Sequence, residues 1–241
     1  LPGSLEQVAD AILDEMSRLH DEHGVAAATL GDVGLACLVR ERLPGLRLTA
    51  SCLVEVAEAG QVAGLGDVFD ILVPSTRLTR RPDRLAAIRA AFPGRIRMIV
   101  NEGCLDSCLE RKQHFYEMAY SPDAPESLCA ERLSRDPWLR LTGAWILPQH
   151  LGEVEHLVDE YKLAGRATLR DPNHYRRVLL AYVRGRALWP HEIGGGPASV
   201  LVRTSFPRSL FLYMLQCDHV CNSCSICRRA AMGALGEDQS A

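Results

Sequence analysis

The hydrophobic positions along the first hundred residues switch regularly between two periods. Apolar residues at helical spacing predict helices, which cover residues 5–20, 31–42, 54–63 and 82–92. The short apolar runs between them predict strands at residues 25–30, 46–51, 68–73 and 95–100. This alternation, in units of roughly twenty-five residues, predicts βα units that build a parallel sheet, and therefore an α/β fold.

The second half of the chain is less regular. Helical patterns are predicted over residues 109–120, 149–158 and 175–184, with a short strand at residues 161–164. With the short apolar run at residues 145–147, about six strands are predicted in all, fewer than the eight of a closed TIM-like (β/α) barrel. Either the barrel is incomplete or further units lie upstream of Leu1. An open doubly wound sheet is the alternative, although no glycine-rich dinucleotide fingerprint supports it.

A glycine-rich break at residues 194–197 separates the βα units from a cysteine-rich end. We therefore predict a barrel domain over residues 1–193 and a C-terminal segment over residues 194–241. The net charge of −3 argues against a nucleic-acid partner. No apolar run approaches the length of a membrane span and no secretory signal is seen, so we expect a cytoplasmic protein.

Nine cysteines, clustered at metal-ligand spacings, favour metal ligation over disulfides in a reducing compartment. The strongest signal is the stretch CDHVCNSCSIC, which holds Cys217, Cys221, Cys224 and Cys227. Four thiolates so close together can bind a 4Fe–4S cluster or a zinc ion, because both take soft sulfur ligands. The first three also have the spacing of radical S-adenosylmethionine enzymes, but in that class the motif follows the first barrel strand.

A second group of cysteines follows the predicted strand at residues 95–100. Cys104 and Cys108 are four residues apart, so on a helical turn both thiols would project from one face, as paired ligands do. Cys129 is a third candidate ligand. Cys37 and Cys52 lie in apolar periodic runs, where we expect small buried side chains instead of ligands.

Several polar residues are candidates for catalysis or substrate binding. Glu102 stands at the carboxyl end of a predicted strand, where barrels place their active sites, although helix capping explains it equally well. His114 is a candidate proton carrier, with a hydrogen-bonded structural histidine as the alternative. The basic run at residues 77–84 is expected to be a solvated face. Three basic residues are candidates for binding an anionic substrate: Arg77, Lys162 and Arg166.

Four segments, taken in order, resemble a known family: NEGCLDSC with RKQHF, LRLTGAWILPQHL, YKLAGR and the C-terminal CDHVCNSCSIC. The set is similar to the collagenase-like peptidase family (class U), and more closely to its iron–sulfur branch. Members of that branch are implicated in oxygen-independent hydroxylation of ubiquinone precursors and of RNA bases. The resemblance extends from about residue 25 to residue 227.

The resemblance implies a TIM-like barrel that holds one 4Fe–4S cluster, or two. It places Cys104, Cys108 and Cys129 where the family has its first ligands. Many members carry a further cysteine just after the segment matching residues 147–151, and this chain has none there. The C-terminal cysteines would then supply the missing ligand or hold a cluster of their own, with their segment folded across the mouth of the barrel.

The function that this resemblance implies is oxygen-independent hydroxylation, or a related redox modification, of a small-molecule substrate. One alternative is a peptidase-like hydrolase, for which the sequence offers no HExxH motif or clear nucleophile–base pair. Another is a non-catalytic, cluster-bearing subunit that completes a complex with a protein partner.

Overall fold

The structure, a computed structural model, describes residues 5–105, 108, 110–120, 128–164, 171–193, 206–221 and 223–232. These residues form the helices α1 (Leu5–His23), α2 (Val33–Arg42), α3 (Leu65–Val68), α4 (Pro82–Ala91), α5 (Arg111–Tyr120), α6 (Leu128–Arg135), α7 (Pro172–Arg184), α8 (Pro190–Ile193), α9 (Arg208–Leu215) and α10 (Ile226–Ala231). The strands are β1 (Ala27–Leu30), β2 (Arg47–Ala50), β3 (Ile71–Leu72), β4 (Arg95–Ile99), β5 (Asn101–Leu105), β6 (Gly143–Trp145) and β7 (Glu160–Lys162). No helix in this part of the chain is long and apolar enough to cross a membrane.

Five of these strands form one parallel sheet, in the order β1-β2-β3-β4-β7, while β5 and β6 pair as an antiparallel ribbon. The first four strands lie side by side in chain order, which is what successive βα units produce. The predicted α/β fold with a parallel sheet is therefore confirmed. Closure of the sheet into a barrel stays a prediction.

The chain divides into two compact units. The first contains Leu1–Ser75, Asp83–Met98 and Leu157–Glu160, and the second contains Thr76–Pro82, Ile99–His156 and Tyr161–Ala241. All the predicted site residues belong to the second unit. The predicted domain boundary at residue 194 lies outside the described residues.

In the first unit, hydrogen bonds to side chains connect helix α2 to the strands beside it. Asp32 begins the helix, since its carboxylate accepts a hydrogen bond from the Leu35 backbone N–H at 2.7 Å. Near the other end, the Arg40 guanidinium donates to the Val68 carbonyl at 2.9 Å and pairs with Asp70 at 2.7 Å. Asp70 also accepts from the Leu48 N–H of β2 at 2.8 Å. Asp70, the residue directly before β3, is thus bonded both to α2 and to β2.

The prediction of one helix over residues 54–63 was wrong. Short 3₁₀ turns at Cys52–Val54 and Ala59–Val62 stand there instead. The Gln61 side chain accepts hydrogen bonds from two backbone N–H groups that precede it in the chain, those of Ala57 and Glu58, at 2.7 and 2.9 Å. These bonds favour a turn, because they satisfy donors that a continuous helix would direct to carbonyl groups.

The expectation that Cys37 is buried was also wrong. Cys37 is exposed on α2, and Cys52 is partly exposed. The buried face of α2 is formed by Ala36 and Val39. Because successive helical residues are rotated by about 100°, the residue after Ala36 points away from that face.

In the second unit, the segments that follow β4, β6 and β7 are held together by polar contacts. The Tyr182 hydroxyl of α7 donates to the Ile146 carbonyl at 2.7 Å, and the Ile146 N–H donates to the Val100 carbonyl at 2.8 Å. The Asn101 side chain donates to the Ala164 carbonyl at 2.7 Å and accepts from its N–H at 2.6 Å. The carboxyl ends of the parallel strands β4 and β7 therefore meet the segment that follows β6, at the edge of the sheet where α/β proteins build their sites.

Candidate functional site

Three of the four C-terminal cysteines lie on the turns between α9 and α10, and the fourth, Cys227, lies at the start of α10. The Cys217 N–H donates to the Met214 carbonyl at 3.3 Å, which continues the last turn of α9. The His219 N–H then donates to the Cys217 sulfur at 3.3 Å. His219 has a left-handed backbone with φ of 62°, and the Cys221 N–H donates to its carbonyl at 2.9 Å. The chain thus folds tightly around a sulfur atom that already accepts a backbone N–H.

The four thiols are close enough to act on one another electrostatically. The pKa of Cys227 is raised to about 11, mainly by burial; the Arg80 guanidinium opposes this rise, and negative charge on Cys217, Cys221 and Cys224 adds to it. The Tyr213 hydroxyl lies 3.8 Å from the Cys224 sulfur, and this hydrogen bond is the main cause of the raised pKa of Tyr213. All four thiols are free and partly exposed.

The expectation that the basic run at residues 77–84 is a solvated face was wrong for Arg80. This side chain is 3% exposed, and its guanidinium carbon lies 4.2 Å from the centre of the Trp145 ring. The next residue, Arg81, donates to the Cys217 carbonyl. Arg77, in contrast, is exposed on a 3₁₀ turn.

Sequence reasoning missed Arg80 as a site residue. Its hydrogen-bond partners Leu141, Trp145 and Met214 lie between 61 and 134 residues away along the chain. No local pattern reports contacts over such distances.

Helix α10, which carries Cys227, is fixed to the 3₁₀ helix Pro137–Thr142 and the residue that precedes it. The Arg228 guanidinium lies 3.7 Å from the Asp136 carboxylate and 5.7 Å from the centre of the Trp138 ring. The Trp138 ring N–H donates to Asp136 at 3.3 Å, so the same carboxylate holds both partners. These contacts position the last of the four cysteines.

The upstream cysteines are arranged differently from the prediction. Residues 101–105 form β5, in which Asn101 pairs with Trp145 and Leu105 with Gly143, so Cys104 is on a strand. Cys108 follows the strand and is not helical. The two thiols therefore do not share a helical face, because cross-strand pairing with β6 replaces the helical turn.

Glu102 forms part of the framework that holds this strand. Its carboxylate accepts a hydrogen bond from the Cys104 N–H at 3.1 Å. The second carboxylate oxygen lies 4.0 Å from the Arg111 guanidinium, and both side chains are about one tenth exposed. Arg111 begins α5 and lies 6.0 Å from the centre of the Phe115 ring. Glu102 is thus a buried, charge-paired carboxylate that fixes the backbone at Cys104.

The remaining predicted site residues are placed as follows. His114 lies half-buried on the first turns of α5, and its N–H donates to the Glu110 carbonyl at 2.9 Å. Lys162 ends β7, half-buried, and its carbonyl accepts from the Val100 N–H at 3.1 Å. Cys129 lies in α6, with its side chain outside the described part of the structure. Arg166 lies outside the described residues.

The described residues contain no group of three or more His, Cys, Asp or Glu side chains that could hold a metal ion as arranged. The C-terminal group nevertheless has the donor chemistry of a thiolate centre: four sulfur atoms, one backbone N–H on sulfur and a buried guanidinium nearby. Soft thiolate donors select zinc, copper(I) and iron–sulfur clusters among biological metals.

Comparison with known proteins gives one informative match. The chain is 25% identical over 236 residues to a protein of Methanocaldococcus jannaschii described as an uncharacterized protease, and the match covers 88% of this chain and 67% of the relative. No protein-family model matches the chain. No solved structure matches it significantly. The chain is therefore similar, at a distance, to a protein named as a protease.

Proposed function

We propose that this chain is an iron–sulfur protein in which Cys217, Cys221, Cys224 and Cys227 hold a 4Fe–4S cluster. We propose further that it acts in oxygen-independent hydroxylation, or a related redox modification, of a small molecule. The observation that supports the metal centre is the spacing of four cysteines within eleven residues, which lie on the turn after α9 and at the start of α10. The reaction class rests on the resemblance to the iron–sulfur branch of the collagenase-like peptidases.

The preference for a cluster over a structural zinc ion rests on the resemblance to the iron–sulfur branch, because both kinds of centre take four thiolates. Zinc draws its four ligand sulfurs to about 2.3 Å from one centre. A four-iron cubane binds one thiolate at each iron, so it holds its ligands farther apart. The N–H donated to Cys217 also stabilises a thiolate, in the manner of hydrogen bonds to cluster sulfurs.

The upstream cysteines are proposed as a second set of ligands. Cys104 and Cys108 lie in the same unit as the C-terminal four, and Cys129 lies in α6 of that unit. Seven cysteines are one fewer than two fully ligated clusters require. A cluster bound by three thiolates keeps one iron open to a substrate or an oxygen donor, whereas a four-thiolate cluster mainly carries electrons.

We also propose that the parallel sheet closes into a (β/α) barrel. Strands β1 to β4 follow one another in chain order, as they do in half of a (β/α) barrel, and the carboxyl ends of β4 and β7 meet near Asn101. A barrel places its active site at that end of the strands. The candidate residues Glu102 and Lys162 lie at these strand ends.

Anaerobic purification followed by metal and sulfide analysis tests the proposal. We expect brown protein with iron and acid-labile sulfide in near-equal amounts, because a 4Fe–4S cluster contains four of each. Replacing Cys221 and Cys224 together by serine should remove the C-terminal cluster. The matched control is Cys37→Ser, which changes an exposed thiol in the other unit. Colourless protein with stoichiometric zinc would contradict the iron–sulfur assignment.

A peptidase-like hydrolase is the second candidate, and the relative described as a protease is the observation that favours it. The two functions differ in their need for the metal. A hydrolase without redox chemistry would cleave peptides at the same rate before and after iron removal. A redox modification would stop when the iron is chelated and resume when iron and sulfide are restored. Incubation of both forms with a mixed peptide library separates the two.

A further inference from the structure

Helix α7 has an exposed surface that is both apolar and basic. Two large hydrophobic side chains are exposed on it: Leu179 is 39% exposed and Val183 is 73% exposed. Arg176 is also exposed, and it precedes these residues by three and seven positions, so all three lie on one side of the helix. Exposed aliphatic groups bordered by charged side chains are typical of a surface that binds another protein.

The positive charge of this surface has few negative neighbours. Residues 172–191 include the arginines at positions 176, 177, 184 and 186 but no Asp or Glu, in a chain whose net charge is −3. Within the part of the chain that the structure describes, Arg176, Arg184 and Arg186 form no ion pair. Arginine is enriched at protein interfaces, so the surface fits a partner that is apolar and acidic.

Helix α1 has these properties. It contains six acidic residues and one arginine, which give it a net charge of −5. Val8 and Ile12, one helical turn apart, are 44% and 38% exposed, and together with Met16 and Glu15 they are among the residues that line one surface groove. Glu15 pairs with Arg18 at 2.7 Å, and Arg18 also pairs with Glu22 at 3.3 Å, so one positive charge lies between two negative ones.

We propose that the protein self-associates, with the acidic apolar face of α1 on one copy bound to the basic apolar face of α7 on another. Such a contact buries exposed aliphatic groups of both helices and sets arginines against carboxylates. The inference is independent of the proposed iron–sulfur function. Because the two faces differ, the contact is heterologous, and each added copy presents one free face unless a ring closes.

The size of the contact predicts weak association. Helix α7 has 13 residues, so it is about 20 Å long at 1.5 Å per residue. One face of such a helix is smaller than the roughly 800 Å² per partner that a stable interface buries. We therefore expect self-association that increases with protein concentration and decreases with salt, because the paired charges lie at the surface.

Sedimentation velocity of the full chain over a range of protein concentrations, in low salt and in about 1 M salt, tests the proposal. We expect the double variant Arg176→Glu, Arg184→Glu to weaken self-association at least about tenfold, because like charges then face each other. The matched control is Arg132→Glu with Arg229→Glu, which changes the net charge equally at two exposed positions of the same unit. The control should associate as the wild type does.

A second variant reverses the charge of α1 while keeping the ion pairs inside the helix: Glu15→Lys, Arg18→Glu, Glu22→Lys. Alone, this variant should also fail to associate, since both of its faces are then basic. Mixed with the α7 double variant it should associate again, because each basic face then meets an acidic one. Circular dichroism identifies any variant that does not fold, and recovery in the mixture requires that both are folded.

Each outcome decides for or against the contact. Loss of association in both variants and its recovery in the mixture would support the proposal. A wild-type protein that stays monomeric at every concentration would overturn it, and so would association that neither salt nor the two charge reversals weaken. Folded variants that fail to associate when mixed would also overturn it. Monomeric protein that instead binds anionic vesicles or RNA through Arg176 and Arg184 would assign the α7 surface to a different partner. The iron and sulfide content decides the proposed function separately.

Discussion

The imidazole of His150 lies nearly parallel to the ring of Phe211, with 4.7 Å between ring centres and 8° between planes. Its Nε2 lies 3.1 Å from the Phe206 carbonyl, so Nε2 carries the proton and donates. Nδ1 is buried without a hydrogen-bond partner. A second proton on this ring would place a charge in an apolar pocket. His150, in the 3₁₀ helix Pro148–Glu153, is therefore held as a neutral ring against Phe211 of α9.

We predict that acidification destabilises the protein through His150. Burial lowers the pKa of His150; the Phe206 carbonyl and Glu153 act in the opposite direction, and Arg208 and Arg80 lower it further. Because the folded pKa is below the unfolded value of about 6.5, the unfolded chain takes up the proton first. The free energy of unfolding should fall as the pH drops below about 6.5, and it should be insensitive to this residue at higher pH. Urea unfolding between pH 8 and 5 measures the slope.

His150→Phe and His156→Gln serve as the comparison. His150→Phe keeps a ring against Phe211 and removes the titrating group, so it should lower stability at neutral pH by about 1 kcal/mol through the lost hydrogen bond but flatten the acid slope. His156 is exposed on the next 3₁₀ turn, and its replacement should change neither quantity. An unchanged acid slope in His150→Phe would assign the pH dependence to other groups.

A second prediction concerns the buried pair of Glu102 and Arg111. Glu102→Gln keeps the acceptor for the Cys104 N–H but leaves the Arg111 charge buried without its carboxylate. Breaking such a pair is expected to lower the free energy of unfolding by roughly 3 kcal/mol. Arg111→Met should cost a similar amount, and the double variant less than the sum. Glu110→Gln, an exposed change just before α5, is the control. Wild-type stability in Glu102→Gln would show that the pair with Arg111 does not stabilise the fold.

Much of the fold could be predicted, because helices α2, α4 and α7 carry both a clear apolar period and a recognisable end. Asp32 caps α2, Pro82 begins α4, and Gly185 ends α7 in a left-handed conformation with φ of 63°. The failures occurred where a partner distant in sequence decided the structure. Residues 101–105 became a strand because β6 pairs with them, and β6 lies about forty residues later.

The candidate site was partly predictable for a similar reason. The spacing of Cys217 to Cys227 is local, so one short stretch of sequence was enough to predict a thiol group. Arg80, Tyr213 and the Glu102–Arg111 pair depend on tertiary contacts, and the apolar periodicity of the chain does not report them. The prediction for Cys37 was wrong because the apolar run was recognised as a helix but its buried face was not. That face is formed by Ala36 and Val39.

The position of Cys37 and Cys52 gives a third prediction. Both belong to the first unit, and every other cysteine belongs to the second. Cys37→Ser and Cys52→Ser should therefore leave the iron content unchanged. Because Cys37 is exposed, its replacement should also change the free energy of unfolding by less than about 0.5 kcal/mol. Iron analysis of the two variants checks the first point, and background iron in either would identify a misassigned ligand.

The last prediction concerns the C-terminal segment as a whole. Removing residues 217–241 deletes all four clustered thiols and α10 together. It also removes Arg228, which contacts Asp136 and Trp138, and the Cys217 carbonyl, to which Arg81 donates. Metal ligation is coupled to folding, because an unfolded chain has no preformed site. The truncated protein should therefore lose metal, thermal stability and activity together.

The control for this truncation removes only residues 233–241, which lie beyond α10 and include no cysteine. It should keep the metal content and the melting temperature of the full chain. Treating the full chain with a chelator gives an independent comparison, since metal removal alone should reproduce part of the thermal loss. The loss of melting temperature that truncation causes and chelation does not measures what the contacts of α10 contribute without metal. If the protein truncated before Cys217 keeps its full metal content and melts at the same temperature, the cysteine-rich segment neither binds the metal nor stabilises the second unit.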